Sequence, residues 1–233
     1  MRRLLLISTS TTYGTGYLDH AAEEIRDFLG SVRSVLFVPY ALHDRDAYAE
    51  KARERFGAMG LTLHSIHRTE DPVAAVRDAE SVFIGGGNTF RLLDTLCALD
   101  LIEPLRRRVL DGMPYVGTSA GSNVATLSIR NTNDMPIVYP PTFDALRLIP
   151  FNLNPHFVDA DPSSKHMGET RETRIREFHE ENDAPVVGLR EGAWLRVEWP
   201  EITLGGTSGA KLFEKGRDAI ELAPGASLAH LLE

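Results

Sequence analysis

Short apolar runs alternate with amphipathic stretches along the first two-thirds of the chain. A continuous apolar run of a few residues fits a strand buried on both faces, whereas apolar positions every three or four residues fit a helix. Read this way, residues 4–8, 34–38, 61–66, 81–84 and 115–117 are predicted strands. Residues 18–29, 44–59, 89–99 and 104–110 are predicted helices, the first closed by Gly30 and the second by Gly60. Asp71 and Pro72 supply an N-cap and a first-turn proline for a short helix to Ala79. Strands that alternate with helices imply an α/β fold with a mostly parallel, doubly wound sheet.

The pattern changes over residues 131–162, which are rich in Pro, Asn and Asp and lack periodicity. They read as long ordered loops with short strands, because their aromatic and aliphatic content argues against disorder. Helix returns over 168–181. Residues 185–189, 193–199, 202–204, 211–214 and 219–222 read as strands, the later ones antiparallel. No linker, repeat or low-complexity tract interrupts the chain, so residues 1–233 are expected to form one α/β domain.

Composition narrows the function classes. A hydrophobic content of 42% and a charged content of 25% are ordinary for a soluble globule. No apolar run reaches bilayer-spanning length. The apolar stretch in residues 1–7 is too short for a signal peptide and reads as a first buried strand. One cysteine, Cys97, excludes an internal disulfide framework and fits a reducing, cytoplasmic setting. A net charge of −8 argues against a nucleic-acid partner, and an acidic substrate would need local Arg or Lys.

The stretch that carries most chemistry is Gly117-Thr118-Ser119-Ala120-Gly121. It follows a predicted strand and precedes the helix-compatible residues 122–127. Strand, sharp turn and helix form the setting of a nucleophile elbow, in which small residues flank a serine held on a strained turn. The alternative is a glycine-rich βα turn with an incidental serine. A serine nucleophile needs a base, and the base needs an orienting carboxylate. His156, in the apolar-flanked Leu153-Asn154-Pro155-His156-Phe157, is the candidate base, with His166 a weaker competitor. Two carboxylates could orient it. Glu191 ends a predicted strand, where α/β sites form, and Asp134 lies in the Asn- and Pro-rich loop after the elbow. Oxyanion donors are expected from the backbone of Ala120 and from Gly85-Gly86-Gly87-Asn88, with Gly87 the selected amide. Neither this glycine run nor Gly14-Thr15-Gly16 has dinucleotide-site spacing.

Five segments in order resemble the S51 serine peptidases of the α-aspartyl dipeptidase type. They are Gly85-Gly86-Gly87-Asn88-Thr89-Phe90, Gly117-Thr118-Ser119-Ala120-Gly121-Ser122-Asn123, the run from Arg130 to Val138, Asn154-Pro155-His156-Phe157 and Gly168-Glu169-Thr170-Arg171. The resemblance covers nearly the whole chain. It implies hydrolysis of dipeptides with an N-terminal aspartate, without metal or cofactor. It implies Ser119 as nucleophile and His156 as its base. It matches Glu191 to the acid of a Ser-His-Glu triad and also offers Asp134 a charge-relay role; Glu191, at a strand end, is favoured as the direct partner of His156, with Asp134 in support. Members usually carry Trp where this chain has Thr118, a departure expected to alter pocket lining more than chemistry. An aspartyl substrate also calls for a bidentate cation, and Arg171 is the expected contact, with Asn88 beside it. The partner is then a small peptide, and the chain a monomer or homodimer. Two other readings remain: a cyanophycinase-like hydrolase of aspartyl polymers, and a non-catalytic α/β binding module. Cys97 falls in a helical pattern and is a poor candidate nucleophile.

Overall fold

The run Leu4-Leu5-Leu6-Ile7 has no polar face, so a strand made from it must be covered on both sides. In the computed structural model, which describes residues 1–163, 165 and 168–232, it forms an interior strand of the larger sheet. His166 lies outside the described residues. Strands β1 (Arg3–Ile7), β2 (Ser34–Val38), β3 (Thr62–Ser65), β4 (Val82–Ile84) and β5 (Tyr115–Thr118) form the parallel part of a seven-stranded sheet. The described helices between them are α1 (Ala22–Leu29), α2 (Arg45–Ala58), α3 (Pro72–Asp78), α4 (Thr89–Ala98) and α5 (Ile102–Leu110).

After β5 come α6 (Ala120–Asn123), β6 (Asn152–Phe157), α7 (Arg171–Glu181), β7 (Val186–Arg190), β8 (Ala193–Glu198), β9 (Glu201–Gly206), β10 (Ala210–Phe213) and β11 (Ile220–Leu222). The large sheet runs β3-β2-β4-β5-β1-β8-β9, with β8 antiparallel to β1 and β9 antiparallel to β8. A four-stranded sheet runs β11-β10-β7-β6, with β6 and β7 parallel and the rest antiparallel. The parallel sheet flanked by helices, and the antiparallel strands late in the chain, match the architecture expected from the pattern.

Strand alternation divides the core. Leu5, Ile7, Val35, Phe37 and Phe83 face α1 and α2, packing on Ile25, Phe28, Ala52 and Phe56. Leu4, Leu6, Leu36, Val38 and Ile84 face the other way, onto Val76, Leu92, Leu96 and Val109 of α3, α4 and α5. Each fully buried Phe or Leu contributes roughly 2–3 kcal/mol. The four-stranded sheet sends Val187 and Leu189 into the second of these cores and packs Phe157, Val186 and Phe213 against α7.

Two expectations need revision. The helix after the elbow ends at Asn123, so residues 124–127 are not α-helical. Residues 152–157, read as loop, form a strand, and His156 sits near its end. The sequence disguises β6 because Asn152, Asn154 and Pro155 are poor strand formers. They are tolerated because β6 is an edge whose far side is laced by asparagine side chains. Asn123 and Asn131 both donate to Leu153 O, at 3.0 and 2.9 Å, and Asn133 donates to Pro155 O at 3.0 Å. Asn154 donates back to Asn131 O at 2.8 Å.

The elbow depends on close backbone approach. A Cβ on Gly121 would fall inside van der Waals distance of the Ile84 carbonyl, so β4 and α6 can meet only at a glycine. Gly121→Ala should therefore lose about 2–3 kcal/mol of stability from overpacking. A thermal melt that matches the wild type would show that the β4–α6 contact has room to spare.

Candidate active site

The C-terminal ends of β1, β4 and β5 lie side by side, and the turn out of β5 carries Ser119. Ser119 has φ 51° and ψ −111°, a conformation that non-glycine residues rarely adopt. Several bonds hold it there. Its N–H donates to Ile7 O at 3.0 Å, and its C=O accepts from Asn123 N at 2.9 Å. Ser122 Oγ bridges Ile7 O at 2.7 Å and Gly117 O at 2.9 Å. Tyr115 donates its hydroxyl to Gly121 O at 2.5 Å. Strain fixed by surrounding bonds is a hallmark of functional turns.

His156 reaches this serine from the other sheet. Its Nε2 lies 3.0 Å from Ser119 Oγ, and its Nδ1 lies 2.8 Å from Glu191 Oε1. His156 also has a positive φ of 54°, at a register shift between Pro155 and Phe157 in β6. The shift turns its ring across the seam between the sheets. Glu191 follows β7 and precedes Gly192, whose φ of 84° starts the turn into β8. Its neighbour Arg190 pins the end of β7. The guanidinium pairs with Asp159 at 2.7 Å and with Glu221, and these carboxylates raise its pKa.

One residue that the sequence did not single out ties these parts together. Ser8, fully buried just past β1, donates its hydroxyl to Leu189 O at 2.7 Å and accepts from His156 N at 3.0 Å. It thus joins the strand beside the elbow to both strands that lead to His156 and Glu191. No spacing signal marks it, because its partners are 148 and 181 positions away. A second imidazole, His20, also feels the Glu191 charge. Burial lowers its pKa against the pull of the Thr9 carbonyl, Asp19 and Glu191.

Asp134 is not brought to His156. Its Oδ2 accepts from Thr89 N at 2.7 Å and Thr89 Oγ1 at 2.6 Å, at the start of α4. It fastens the 131–135 loop, whose asparagines lace β6, to that helix. Asn88 does similar work: Oδ1 accepts from Arg91 N at 3.0 Å and Nδ2 donates to Met135 O at 2.9 Å. One N–H of that amide remains for a ligand. Arg171 is the first residue of α7 and makes no ion pair among the described residues. It lines a cavity of about 480 Å³ with Asn133, Thr170 and Arg174, and with the carboxylates of Asp159, Asp161 and Glu169. Burial and Arg174 lower its pKa, while Asp134 opposes them. Gly87 has φ 137°, and a Cβ there would meet Ala41 O at 2.6 Å. Ala120 N–H is the first amide of α6.

The chain is similar to known proteins along nearly its whole length. The model of the family described as Peptidase family S51 matches residues 4–205. The chain belongs to peptidase family S51. A Streptomyces coelicolor protein named Peptidase E is 51% identical over 99% of this chain and 95% of its own length. A Drosophila melanogaster protein named "Probable alpha-aspartyl dipeptidase" is 48% identical over 100% of this chain and 98% of its own. A crystal structure of a peptidase from an acI-B1 Actinobacterium shares the fold, with a TM-score of 0.74 at 17% identity, covering 98% of this chain and 96% of that one. In this S51 chain, no helix among the described residues is long and apolar enough to cross a membrane.

The Ser8 junction makes a specific prediction. Ser8→Ala strands the His156 N–H and removes a donor from Leu189 O, and each orphaned buried group costs about 1–3 kcal/mol. The expected result is a tenfold or larger fall in kcat with little change in KM, partly rescued in Ser8→Thr. Equal kcat in wild type and Ser8→Ala would show that the seam holds His156 without this hydroxyl.

Proposed function

We propose that this chain is a serine-type dipeptidase that hydrolyses dipeptides with an N-terminal aspartate. The observation that carries the reading is the continuous chain from Ser119 Oγ through both nitrogens of His156 to Glu191 Oε1, at 3.0 and 2.8 Å. The chemistry follows from those contacts. Neutral His156 takes the Ser119 proton on Nε2 as Oγ attacks the aspartyl carbonyl carbon. Glu191 accepts from Nδ1–H, fixes the tautomer and stabilises the imidazolium that forms. The N–H groups of Gly87 and Ala120 receive the carbonyl oxygen as it becomes negative. His156 then protonates the departing amine, and the aspartyl group stays on Ser119 as an ester. A water molecule, deprotonated by His156, attacks that ester and frees aspartate and the serine.

Arg171 supplies the specificity. Its guanidinium, in a cavity and without an ion-pair partner among the described residues, suits the two oxygens of an aspartyl side chain. Asn88 adds its remaining N–H. Asp134 supports the site through Thr89 and the loop that laces β6. With one cysteine, Cys97, the chain can form no internal disulfide, which suits a reducing, cytoplasmic compartment.

A panel of Asp-X, Asn-X, Glu-X and β-Asp-X dipeptides, with Asp-initiated tripeptides, tests the substrate class. Asp-X should be cleaved with the highest kcat/KM. Ser119→Ala should reduce its turnover by at least about a thousandfold while leaving the melting temperature near that of the wild type. Turnover retained in that variant would rule out the serine mechanism.

Arg171→Met should lower the Asp-over-Asn preference by about a hundredfold, since a desolvated bidentate pair is worth about 2–3 kcal/mol. An equal loss on Asp and Asn substrates would assign Arg171 a structural role instead.

A further inference from the structure

A second cavity, about 560 Å³, is separate from the one that Arg171 lines. Gly86 and Gly87 form one wall, and a Cβ on Gly86 would lie 3.0 Å from the Ser119 Cβ, so the cavity adjoins the nucleophile. Tyr17, Leu42 and Tyr48 supply apolar walls, and Lys51 stands at the rim. Lys51 extends from exposed α2, one turn after Tyr48, and its Nζ rests 4.8 Å from the centre of the Tyr17 ring. Such a contact holds the ammonium in place without neutralising it.

The carboxylate next to Lys51 in sequence is committed elsewhere. Glu50 pairs with Arg53 and Arg68. Asp44, also on the cavity wall, caps α2 by accepting Ala47 N–H at 2.9 Å. Among the described residues, Lys51 makes no ion pair, in a chain whose net charge is −8. A cation without an ion-pair partner, on a cavity that shares its glycine wall with the nucleophile, can receive an anion that arrives with the substrate. A dipeptide brings two carboxylates to this site. The aspartyl side chain is the one proposed for Arg171, and the other is the C-terminal carboxylate of the residue released.

We propose that Lys51 binds the free α-carboxylate of the leaving residue, whose side chain packs on Tyr17 and Leu42, and that this contact selects dipeptides over longer peptides. A third residue would place a neutral amide where the ammonium waits for a charge. The proposal rests on the dipeptidase reading and names the subsite that reading leaves open.

The test compares kcat/KM for Asp-Leu and Asp-Leu-amide in the wild type, Lys51→Met and Lys51→Arg. The wild type should favour the free acid by roughly twofold to fivefold, the range for an exposed charge pair. In Lys51→Met that ratio should fall towards one, mostly through a higher KM for Asp-Leu, and Lys51→Arg should restore most of it. A wild type indifferent to the amide, or a Lys51→Met variant that keeps the full ratio, overturns the subsite while leaving the dipeptidase reading standing. Absence of cleavage of either substrate by the wild type overturns the dipeptidase reading and the subsite with it.

Discussion

The site depends on a seam between two sheets. Ser119 belongs to the seven-stranded sheet through β5, whereas His156 and Glu191 belong to the four-stranded sheet through β6 and β7. A proton can pass between Oγ and Nε2 only if these sheets keep a fixed offset, since hydrogen bonds weaken steeply with misalignment. Ser8 sets that offset. Its one hydroxyl bonds to β6 and β7 from the end of β1, and Ile7 beside it accepts from Ser119 N–H and Ser122 Oγ. The same short stretch of chain therefore anchors the elbow and the histidine.

Two strained residues face each other across that seam. Ser119 and His156 both have positive φ, near 51° and 54°. Each costs of order 1–3 kcal/mol and persists only where surrounding contacts outweigh it. For Ser119 these are the close glycine contacts and the Ser122 and Tyr115 bonds. For His156 they are the Ser8 bond, the asparagine lacing of β6 and the Arg190 ion pairs at the end of β7. The electrostatic layout follows from the same scaffold. Arg171 and Lys51 line separate cavities.

Much of this was legible in the chain because it rests on local patterns. The parallel strands are apolar runs such as Leu4-Leu5-Leu6-Ile7, and helix starts carry real caps, with Asp44, Asp71 and Asn88 each accepting the N–H three residues on. The elbow could be read from its glycines, and Glu191 from its place at a strand end. What could not be read depends on partners far apart in sequence. Strand β6 owes its existence to side chains at 123, 131 and 133, so its own residues look like loop. Asp134 looks like a catalytic acid by composition and position, yet its bonds to Thr89 are decided by how the 131–135 loop folds onto α4. Ser8 and Lys51 are ordinary residues that matter only through what the fold sets beside them.

The account's central claim is that Ser119 is the group that becomes acylated. Labelling with a fluorophosphonate, followed by peptide mapping, tests this most directly, because such probes phosphonylate a serine only where a base has activated it. The account predicts a single adduct, on Ser119, formed more slowly in the presence of Asp-Leu. An adduct on another serine, or no adduct from a preparation that cleaves Asp-X dipeptides, would contradict it.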